Sequence, residues 1–298
     1  MRIVLTGASG FLGRPCLGLL VNRGHEVFAL SRGPRPAGIT GPVKWHVADL
    51  NAVDSYAAAI KAFAPQAALH LAWEGIPDYG LETSLRNLRN GALLGQLLFE
   101  AGCRHLAVSG SCWEYGKVSG IVHENAEPVA PGVFGASKSA QRLVLEALAR
   151  SSNTTLAWGR VFYPYGPGQK PASLAPTICR AVLAGECPAL KTPHAINDFL
   201  YVDDTAEALV MLAETSVSGA FNIGSGSGTP VGALADKLLS LADRPAAFAA
   251  RAAQDGGSPA GFWADTAALR SLGWQPKMPL EEGLRRTLSF FKDAPASC

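Results

Sequence analysis

The sequence predicts an α/β fold in which helices cover both faces of a parallel sheet, and three observations support this prediction. Short apolar runs alternate with helical patterns from residue 1 to about residue 165. The run at 66–72 is apolar at almost every position, which is typical of a strand covered on both faces. The first strand, 1–6, leads directly into a glycine turn, 7–13, and then a helix. Together these features predict a Rossmann-type, doubly wound sheet with ligands at the carboxyl ends of its strands.

The glycine turn predicts a dinucleotide site. Gly7 allows the tight turn, Gly10 lets a pyrophosphate approach the backbone, and Gly13 lets the helix pack closely on the strand. Amides at the start of the helix, with the positive end of its dipole behind them, would face the phosphates. The other residues of the turn that we expect to contact the cofactor are Ser9, Phe11 and Leu12.

The end of the second strand, 25–30, favours NADP over NAD. Ser31 and Arg32 follow this strand, where the adenosine ribose would lie. An acidic residue here would hold the ribose 2′-hydroxyl, whereas a hydroxyl and a guanidinium suit a 2′-phosphate. A solvated arginine is the alternative interpretation of Arg32. Asp49 and Leu50, after the third strand, are predicted to reach the adenine, although Asp49 would equally suit a helix cap.

The rest of the chain predicts a second, smaller region without a sharp linker. We expect a dinucleotide-binding domain over 1–165, which also receives segments near 196–224, and a mainly substrate-binding region over 166–298. With 26 basic and 24 acidic residues, the net charge is only +2, so no nucleic-acid or membrane partner is predicted.

Composition and spacing also predict a cytoplasmic protein without a metal site. The six cysteines show no paired metal-ligand spacing and are interpreted as reduced cytosolic thiols. Asp198, Asp203 and Asp204 have no histidine or cysteine at ligand spacing, so we interpret them as capping and positioning residues. His70 lies inside the fourth strand and is interpreted as a core histidine.

Six motifs recur in an order that resembles a known family across essentially the whole chain. They are Gly-x-x-Gly-x-x-Gly at 7–13, Ser109-Gly-Ser111 with Tyr115-Gly116, Gly135-Ala-Ser-Lys138, Tyr165-Gly-Pro-Gly168, the segment Asp198-Phe-Leu-Tyr-Val-Asp-Asp204, and Asn222-Ile-Gly-Ser-Gly226. Together they resemble the extended short-chain dehydrogenase/reductases, in the nucleotide-sugar epimerase/dehydratase/reductase branch. Segments 70–73, 110–116 and 160–166 look most like bacterial reductases of the 4-keto group of nucleoside-diphosphate 4-keto-6-deoxyhexoses.

The resemblance implies three catalytic positions. In the family a Tyr transfers a proton, a Lys four residues later holds the nicotinamide ribose, and a Ser or Thr binds the reacting oxygen. Lys138 and Ser111 match this pattern, but Phe134 occupies the position of the Tyr. A phenyl ring has no exchangeable proton, and losing such a group typically lowers the rate by a factor on the order of 10² to 10⁴.

Three explanations of Phe134 remain open from the sequence. The first is an engineered Tyr-to-Phe variant. The second is a natural homologue in which Tyr115, Tyr163 or a water supplies the proton, and the third is a binding protein that has lost catalysis. We expect weak or no turnover with retained binding.

The resemblance also implies ligand contacts outside the glycine turn. The further cofactor contacts that it implies are Leu71, Ala72, Trp73, Asn87, Ser109, Lys138 and Tyr163. The substrate contacts that it implies are Trp73, Ser111, Cys112, Trp113, Phe134, Tyr163, Gln169, Lys170 and Asn197. Asn197 departs from the family, which usually has an arginine there for the diphosphate, so Lys170, Arg180 or Arg251 would have to take that charge. Tyr163 stands where many epimerases have Asn.

We therefore expect an NADPH-dependent reductase of a nucleotide-linked 4-keto-6-deoxy sugar. One alternative is an epimerase or dehydratase that keeps its nicotinamide bound and returns the hydride. Another is a non-catalytic regulatory protein that binds NADP(H) as a ligand. Relatives that pair through two long helices imply a homodimer built on 82–101 and 134–150.

Overall fold

The computed structural model describes residues 1–36, 38–248 and 260–293. Within these ranges the strands are β1 Arg2–Thr6, β2 Glu26–Ser31, β3 Val43–Val47, β4 Ala67–His70, β5 His105–Ser111, β6 Gly120–Val122, β7 Thr155–Val161, β8 Tyr163–Tyr165, β9 Ala195–Asn197, β10 Phe199–Tyr201, β11 Gly219–Ile223, β12 Thr229–Pro230 and β13 Ala260–Ala264. The α-helices are α1 Gly13–Asn22, α2 Ala57–Phe63, α3 Leu81–Glu100, α4 Val133–Ser151, α5 Leu174–Leu183, α6 Val202–Glu214, α7 Val231–Leu241, α8 Ala267–Ser271 and α9 Leu280–Asp293.

The chain forms two compact units, each built from separate stretches. The first unit comprises Met1–Lys117, Glu124–Val161 and Ala206–Asn222, and the second comprises Val118–His123, Phe162–Thr205 and Ile223–Cys298. The second stretch of the first unit therefore ends at residue 161, slightly before the expected 165. The first unit takes back 206–222 where the sequence suggested the wider segment 196–224.

The first unit contains a seven-stranded sheet in the order β11-β7-β5-β4-β1-β2-β3. The pairs β1–β2, β2–β3, β1–β4, β4–β5 and β5–β7 are all parallel, which confirms the predicted parallel sheet. From β1 the strand order runs in one direction through β2 and β3 and in the other through β4 and β5. Such a reversal opens a crevice at the carboxyl ends of the strands, which is where doubly wound sheets bind ligands.

Helices α3 and α4 pack closely on this sheet. A Cβ added at Gly95 of α3 would lie 2.3 Å from Leu145 Cδ2 of α4, so a larger residue there would displace the Leu145 side chain. Leu94, Leu106 and Leu145 belong to one buried core cluster with no more than 1% of their surface exposed. The packing fixes α4, and with it the side chains that the helix presents near its amino-terminal end.

The second unit contains smaller sheets made of short strands. β8 and β10 pair in parallel, and β12, β9, β13 and β6 form a four-stranded sheet. Asp198, between β9 and β10, accepts hydrogen bonds from Ser225 N and Oγ, Gly226 N and Ala264 N. Its positioning role agrees with the prediction, and α6 begins shortly after it, at Val202. None of the helices in the described ranges is both long and apolar enough to span a membrane.

Candidate active site

The glycine turn joins β1 to α1 in a conformation that excludes side chains. Gly7 has a φ of 72°, and its carbonyl oxygen accepts a hydrogen bond from Gly10 N at 2.9 Å. A Cβ at Gly13 would lie 2.0 Å from this same oxygen. Leu12, at the start of α1, has an apolar side chain and so leaves the first amides of the helix without a side-chain cap. The turn thus keeps a cradle of bare backbone at a helix start, which suits a pyrophosphate.

The end of β2 is tied to the glycine turn by two hydroxyls. Ser9 Oγ and Ser31 Oγ are 2.7 Å apart, and Ser31 is buried. Arg32 is largely exposed, and its Nη1 lies 3.3 Å from Glu74 Oε2. The backbone amide of Asn51, followed by its side-chain amide and the positive charge of Arg32, lowers the pKa of Asp49. This ion pair places the Arg32 guanidinium beside the segment that follows β4.

The segment after β4 lies directly beside Gly7. Ala72 N donates to Thr6 Oγ1 at 3.2 Å, and a Cβ at Gly7 would lie 3.2 Å from the Leu71 carbonyl carbon. Asn87 of α3 accepts from Glu74 N and donates to the Glu74 and Thr83 carbonyls, so it anchors this segment. Both amide protons of Asn87 are used in this way, which leaves only its oxygen for any contact with a cofactor.

The ammonium of Lys138 is buried at the centre of this arrangement. Lys138 is 4% exposed, and its Nζ donates to the Ser109 carbonyl at 2.7 Å. The same Nζ lies 4.0 Å from the centroid of the Trp73 ring, within range of a cation–π interaction. Burial lowers the pKa of Lys138 to about 7, with the charge of Glu114 opposing the shift.

His70 lies near Lys138 and is buried, and its Nδ1 lies 2.7 Å from Thr6 Oγ1. Burial, and then the charge of Lys138, lower the pKa of His70 to about 3. Its hydrogen bond and burial agree with a core histidine.

Phe134 lies one turn before Lys138 on α4 and is surrounded by aromatic rings. Its ring centroid is 5.3 Å from that of Trp73, 5.0 Å from Tyr79 and 5.7 Å from Trp113, all close to edge-to-face. The ring centroids of Tyr79 and Trp113 are 4.9 Å apart, and both residues remain partly exposed.

Trp73 Nε1 is buried without a hydrogen-bond partner among the described residues. An orphaned donor beside a buried cation is what a polar ligand group would satisfy.

Ser111 ends β5 on the same face as Ser109, because side chains two residues apart on a strand point the same way. Its hydroxyl accepts from Trp113 N at 3.2 Å, and its amide donates to Glu114 Oε1 at 2.8 Å. The two bonds form a capping box that fixes the Ser111 side chain. By contrast, the predicted substrate contact Cys112 is 1% exposed, so its thiol is withdrawn from solvent.

Glu114 belongs to a buried polar network beneath Ser111. Arg160 Nε donates to Glu114 Oε2 at 2.9 Å, and Trp158 Nε1 donates to Oε1 at 2.9 Å. Arg160 Nη1 also donates to Tyr115 Oη, which in turn donates to Asn222 Oδ1 at 2.7 Å. Tyr115 is fully buried, and burial raises its pKa to about 12. The Tyr115 hydroxyl is therefore engaged in the network, which argues against it as the proton source that replaces Tyr at 134.

The other predicted substrate residues belong to the second unit. Tyr163 N donates to the Asp198 carbonyl at 3.0 Å, next to Asn197, and Gln169 Nε2 donates to the Pro164 carbonyl at 3.0 Å. The start of β8 is thus tied to the residue after Asn197, and Gln169 is tied to the middle of β8. Lys170 and Arg180 are exposed, whereas Arg251 lies outside the described residues.

Two residues of the site were not predicted from the sequence. Tyr79 stands in a loop where no periodic pattern exists, and Glu114 follows a strand as an ordinary loop residue would. The spacing of Ser111 and Glu114, a hydroxyl followed three residues later by Glu, is a capping-box signal that could have identified Glu114.

Known proteins match this chain over most of its length. The model of the NAD dependent epimerase/dehydratase family matches residues 3–224. The dTDP-6-deoxy-L-talose 4-dehydrogenase (NAD(P)(+)) of Kitasatospora kifunensis is 27% identical, over 99% of this chain and 97% of that protein. The dTDP-L-rhamnose 4-epimerase of Burkholderia thailandensis is 24% identical, over 95% of this chain and 93% of that protein.

Among solved structures, MoeE5 in complex with UDP-glucose and NAD superimposes with a TM-score of 0.78 and 26% identity, over 98% of this chain and 99% of that one. The family match covers the glycine turn, Ser111, Phe134 and Lys138, which the structure brings to one end of one sheet. The chain belongs to the NAD-dependent epimerase/dehydratase family.

Proposed function

We propose that this protein reduces the 4-keto group of a nucleoside-diphosphate 4-keto-6-deoxyhexose with NADPH. The observation that carries the proposal is the buried Lys138 ammonium, which is held by the Ser109 carbonyl and the Trp73 ring one helical turn from position 134. The relative from Kitasatospora kifunensis is named as a 4-dehydrogenase that uses NAD(P)⁺. The reverse of such a reaction is reduction of a 4-keto group.

The residues of the site have different roles in the proposed reduction. The nicotinamide cofactor, when bound, supplies the hydride. Lys138 holds the nicotinamide ribose through its ammonium, and the bare backbone of the glycine turn holds the pyrophosphate. Ser111, fixed by Glu114, donates a hydrogen bond to the substrate oxygen and stabilises its developing negative charge. Phe134 has no proton to give, so protonation of that oxygen depends on another group.

The choice of NADP rests on Ser31 and Arg32. MoeE5, with 26% identity, was solved with NAD, and the family is described as NAD dependent. In this chain a serine hydroxyl ends β2 and an exposed guanidinium follows it directly, in place of an acidic residue. This pair favours a 2′-phosphate by charge and by hydrogen bonding.

A homodimer through α3 and α4 forms part of the proposal. Leu81 and Leu85 of α3 and Leu143 and Val144 of α4 are large apolar side chains that are at least 39% exposed. Neighbouring helices with exposed apolar residues suit an interface with a second copy. Sedimentation velocity of the native chain and of a Leu85→Glu/Leu143→Glu variant tests this directly: the native chain is expected to be dimeric and the variant monomeric.

The proposed activity is tested by following NADPH absorbance with dTDP-, UDP-, GDP- and CDP-linked 4-keto-6-deoxy sugars. We expect slow, stoichiometric NADPH oxidation by the native chain, and a rise in kcat on the order of 10² for Phe134→Tyr. An epimerase would convert sugars without net NADPH oxidation. A regulatory protein would bind NADP(H) but none of the nucleotide sugars in calorimetry. If neither the native chain nor Phe134→Tyr oxidises NADPH with any of these sugars, the proposed reductase activity is refuted.

A further inference from the structure

The chain needs a proton donor other than position 134, and the first unit contains three tyrosines that could provide one. Tyr115 donates its hydroxyl proton to Asn222 inside the buried network. Tyr56 is fully buried beside α2, and its hydroxyl donates to the Leu50 carbonyl at 3.2 Å. Both hydroxyls are therefore engaged in the interior of the unit. Tyr79 is the remaining phenol of the first unit, to which Phe134 and Lys138 also belong.

Tyr79 lies against the ring that replaces the catalytic tyrosine. Its ring centroid is 5.0 Å from that of Phe134 and 4.9 Å from that of Trp113. The residue is 37% exposed. Contact with Phe134 places this phenol beside the same cluster of rings that covers Lys138, while its exposure keeps it in contact with water.

The loop that carries Tyr79 is held by its neighbour Asp78. The Asp78 carboxylate accepts hydrogen bonds from Gly80 N and from Thr83 Oγ1 in the first turn of α3, and the Asp78 amide donates to the Gly75 carbonyl at 2.7 Å. Gly75, with a φ of 89°, begins the turn. Tyr79 is therefore presented by an anchored turn rather than by a free chain, which limits the entropy lost when it meets a substrate.

We propose that Tyr79 is the proton donor for the reduction, in place of the hydroxyl that Phe134 lacks. This inference rests on the proposed function. As the C4 carbonyl carbon of the sugar accepts a hydride from NADPH, the carbonyl π bond breaks and its electron pair moves to oxygen. The Tyr79 O–H bond then breaks, its proton forms the new hydroxyl of the sugar, and the phenolate regains a proton from water.

The surroundings of Tyr79 agree with an acid that is neutral at rest. Partial burial raises the pKa of Tyr79 above its ordinary value, so the phenol carries its proton at neutral pH. The partial exposure of Tyr79 lets solvent restore that proton after each turnover. Because a loop holds a side chain less firmly than a helix does, turnover through Tyr79 is expected to be slower than turnover in Phe134→Tyr.

A double-mutant cycle over Tyr79→Phe and Phe134→Tyr tests this proposal. In the native background, Tyr79→Phe should lower kcat on the order of 10²-fold, with KM and the calorimetric affinity for the nucleotide sugar within about threefold of native values. In the Phe134→Tyr background, the same change should alter kcat by less than about threefold, because the proton then comes from residue 134. Tyr56→Phe, which removes a phenolic hydroxyl elsewhere in the unit, is the matched control and should leave kcat unchanged.

The outcomes separate this inference from the proposed function. An equal loss in both backgrounds means that Tyr79 acts structurally, and no loss in either means that it is not the donor; both results overturn the inference while the reductase activity stands. Turnover by Phe134→Tyr with none by the native chain also overturns it, since Tyr79 then donates nothing. Absence of turnover in both chains refutes the proposed function and the inference together.

Discussion

Glu114 and Arg160 form an ion pair in which neither side chain has any exposed surface, with Arg160 Nε 2.9 Å from Glu114 Oε2. The pair connects the end of β5 to β7, and the same carboxylate accepts from the Ser111 amide. Ser111, which is proposed to bind the reacting oxygen, is therefore positioned by the buried Glu114 carboxylate. Removing that carboxylate alone would leave the Arg160 guanidinium buried without a counter-ion.

Glu114→Gln should strongly destabilise the protein. The substitution leaves the buried Arg160 guanidinium without its counter-ion, which typically costs about 3–5 kcal/mol. The matched control is Glu281→Gln, which breaks an exposed pair with Arg285 and should cost less than about 1 kcal/mol. Urea unfolding followed by circular dichroism measures both. If the two variants lost similar free energies of unfolding, the buried pair would contribute no more to stability than the exposed pair, which would contradict this prediction.

Lys138→Met should raise the free energy of unfolding and weaken cofactor binding at the same time. Burial lowers the pKa of Lys138 to about 7 from its ordinary 10.5. Between these values the unfolded chain binds one proton more than the folded chain, so this lysine makes stability rise with pH by up to about 1.4 kcal/mol per pH unit. The variant should lack this rise between pH 7.5 and 8.5.

The measurement is urea unfolding across that pH window, with NADPH affinity determined by fluorescence quenching. Lys138→Arg keeps a positive charge and is the control for affinity. A native chain whose stability does not rise over this window, or rises equally in Lys138→Met, would show that the buried ammonium is not the cause.

Gly13→Ala should abolish tight cofactor binding. An added Cβ would lie 2.0 Å from the Gly7 carbonyl oxygen and 2.8 Å from Ala8 Cα, so backbone must move and the turn must open. We expect NADPH affinity to fall on the order of 10²-fold, because the amides proposed to face the pyrophosphate lose their arrangement. Gly18→Ala, on the exposed face of the same helix with open space around it, is the control. It should keep affinity and gain about 0.5–1 kcal/mol of stability.

Arg32→Ala should change the choice between NADPH and NADH. Removing the guanidinium takes away the cation expected at the 2′-phosphate, so NADPH affinity should fall on the order of tenfold while NADH affinity stays constant. Lys44→Ala removes an exposed positive charge from β3 and should affect neither cofactor. Equal losses for NADPH and NADH in Arg32→Ala would instead place Arg32 at a part that the two cofactors share.

The features that the sequence predicted well are local ones. The glycine turn could be predicted because Gly7, Gly10 and Gly13 serve one backbone geometry within seven residues. The parallel sheet followed from apolar runs whose pattern is set by burial on both faces. The position of Lys138 one helical turn after residue 134 followed from the family pattern, and its role in binding the cofactor stays a prediction.

The features that the sequence did not predict depend on contacts between distant residues. β6, at 120–122, pairs with β13, at 260–264, and each strand is too short to show a period of its own. Tyr79 reaches Phe134 only because Asp78 fixes a turn, and no pattern in residues 75–80 encodes that contact. The burial of Glu114 requires Arg160 and Trp158 from a strand more than forty residues later.

The return of the chain to the first unit has a consequence for its biosynthesis. β11 completes the edge of the large sheet beside β7, and Asn222 closes the hydrogen-bond chain that begins at Glu114. While a ribosome is still making the intervening residues, β7 has an open edge that invites pairing with other nascent chains. The first unit can therefore reach its final form only after Asn222 has emerged, and a gene fragment cut at residue 165 would encode a sheet that lacks its last strand.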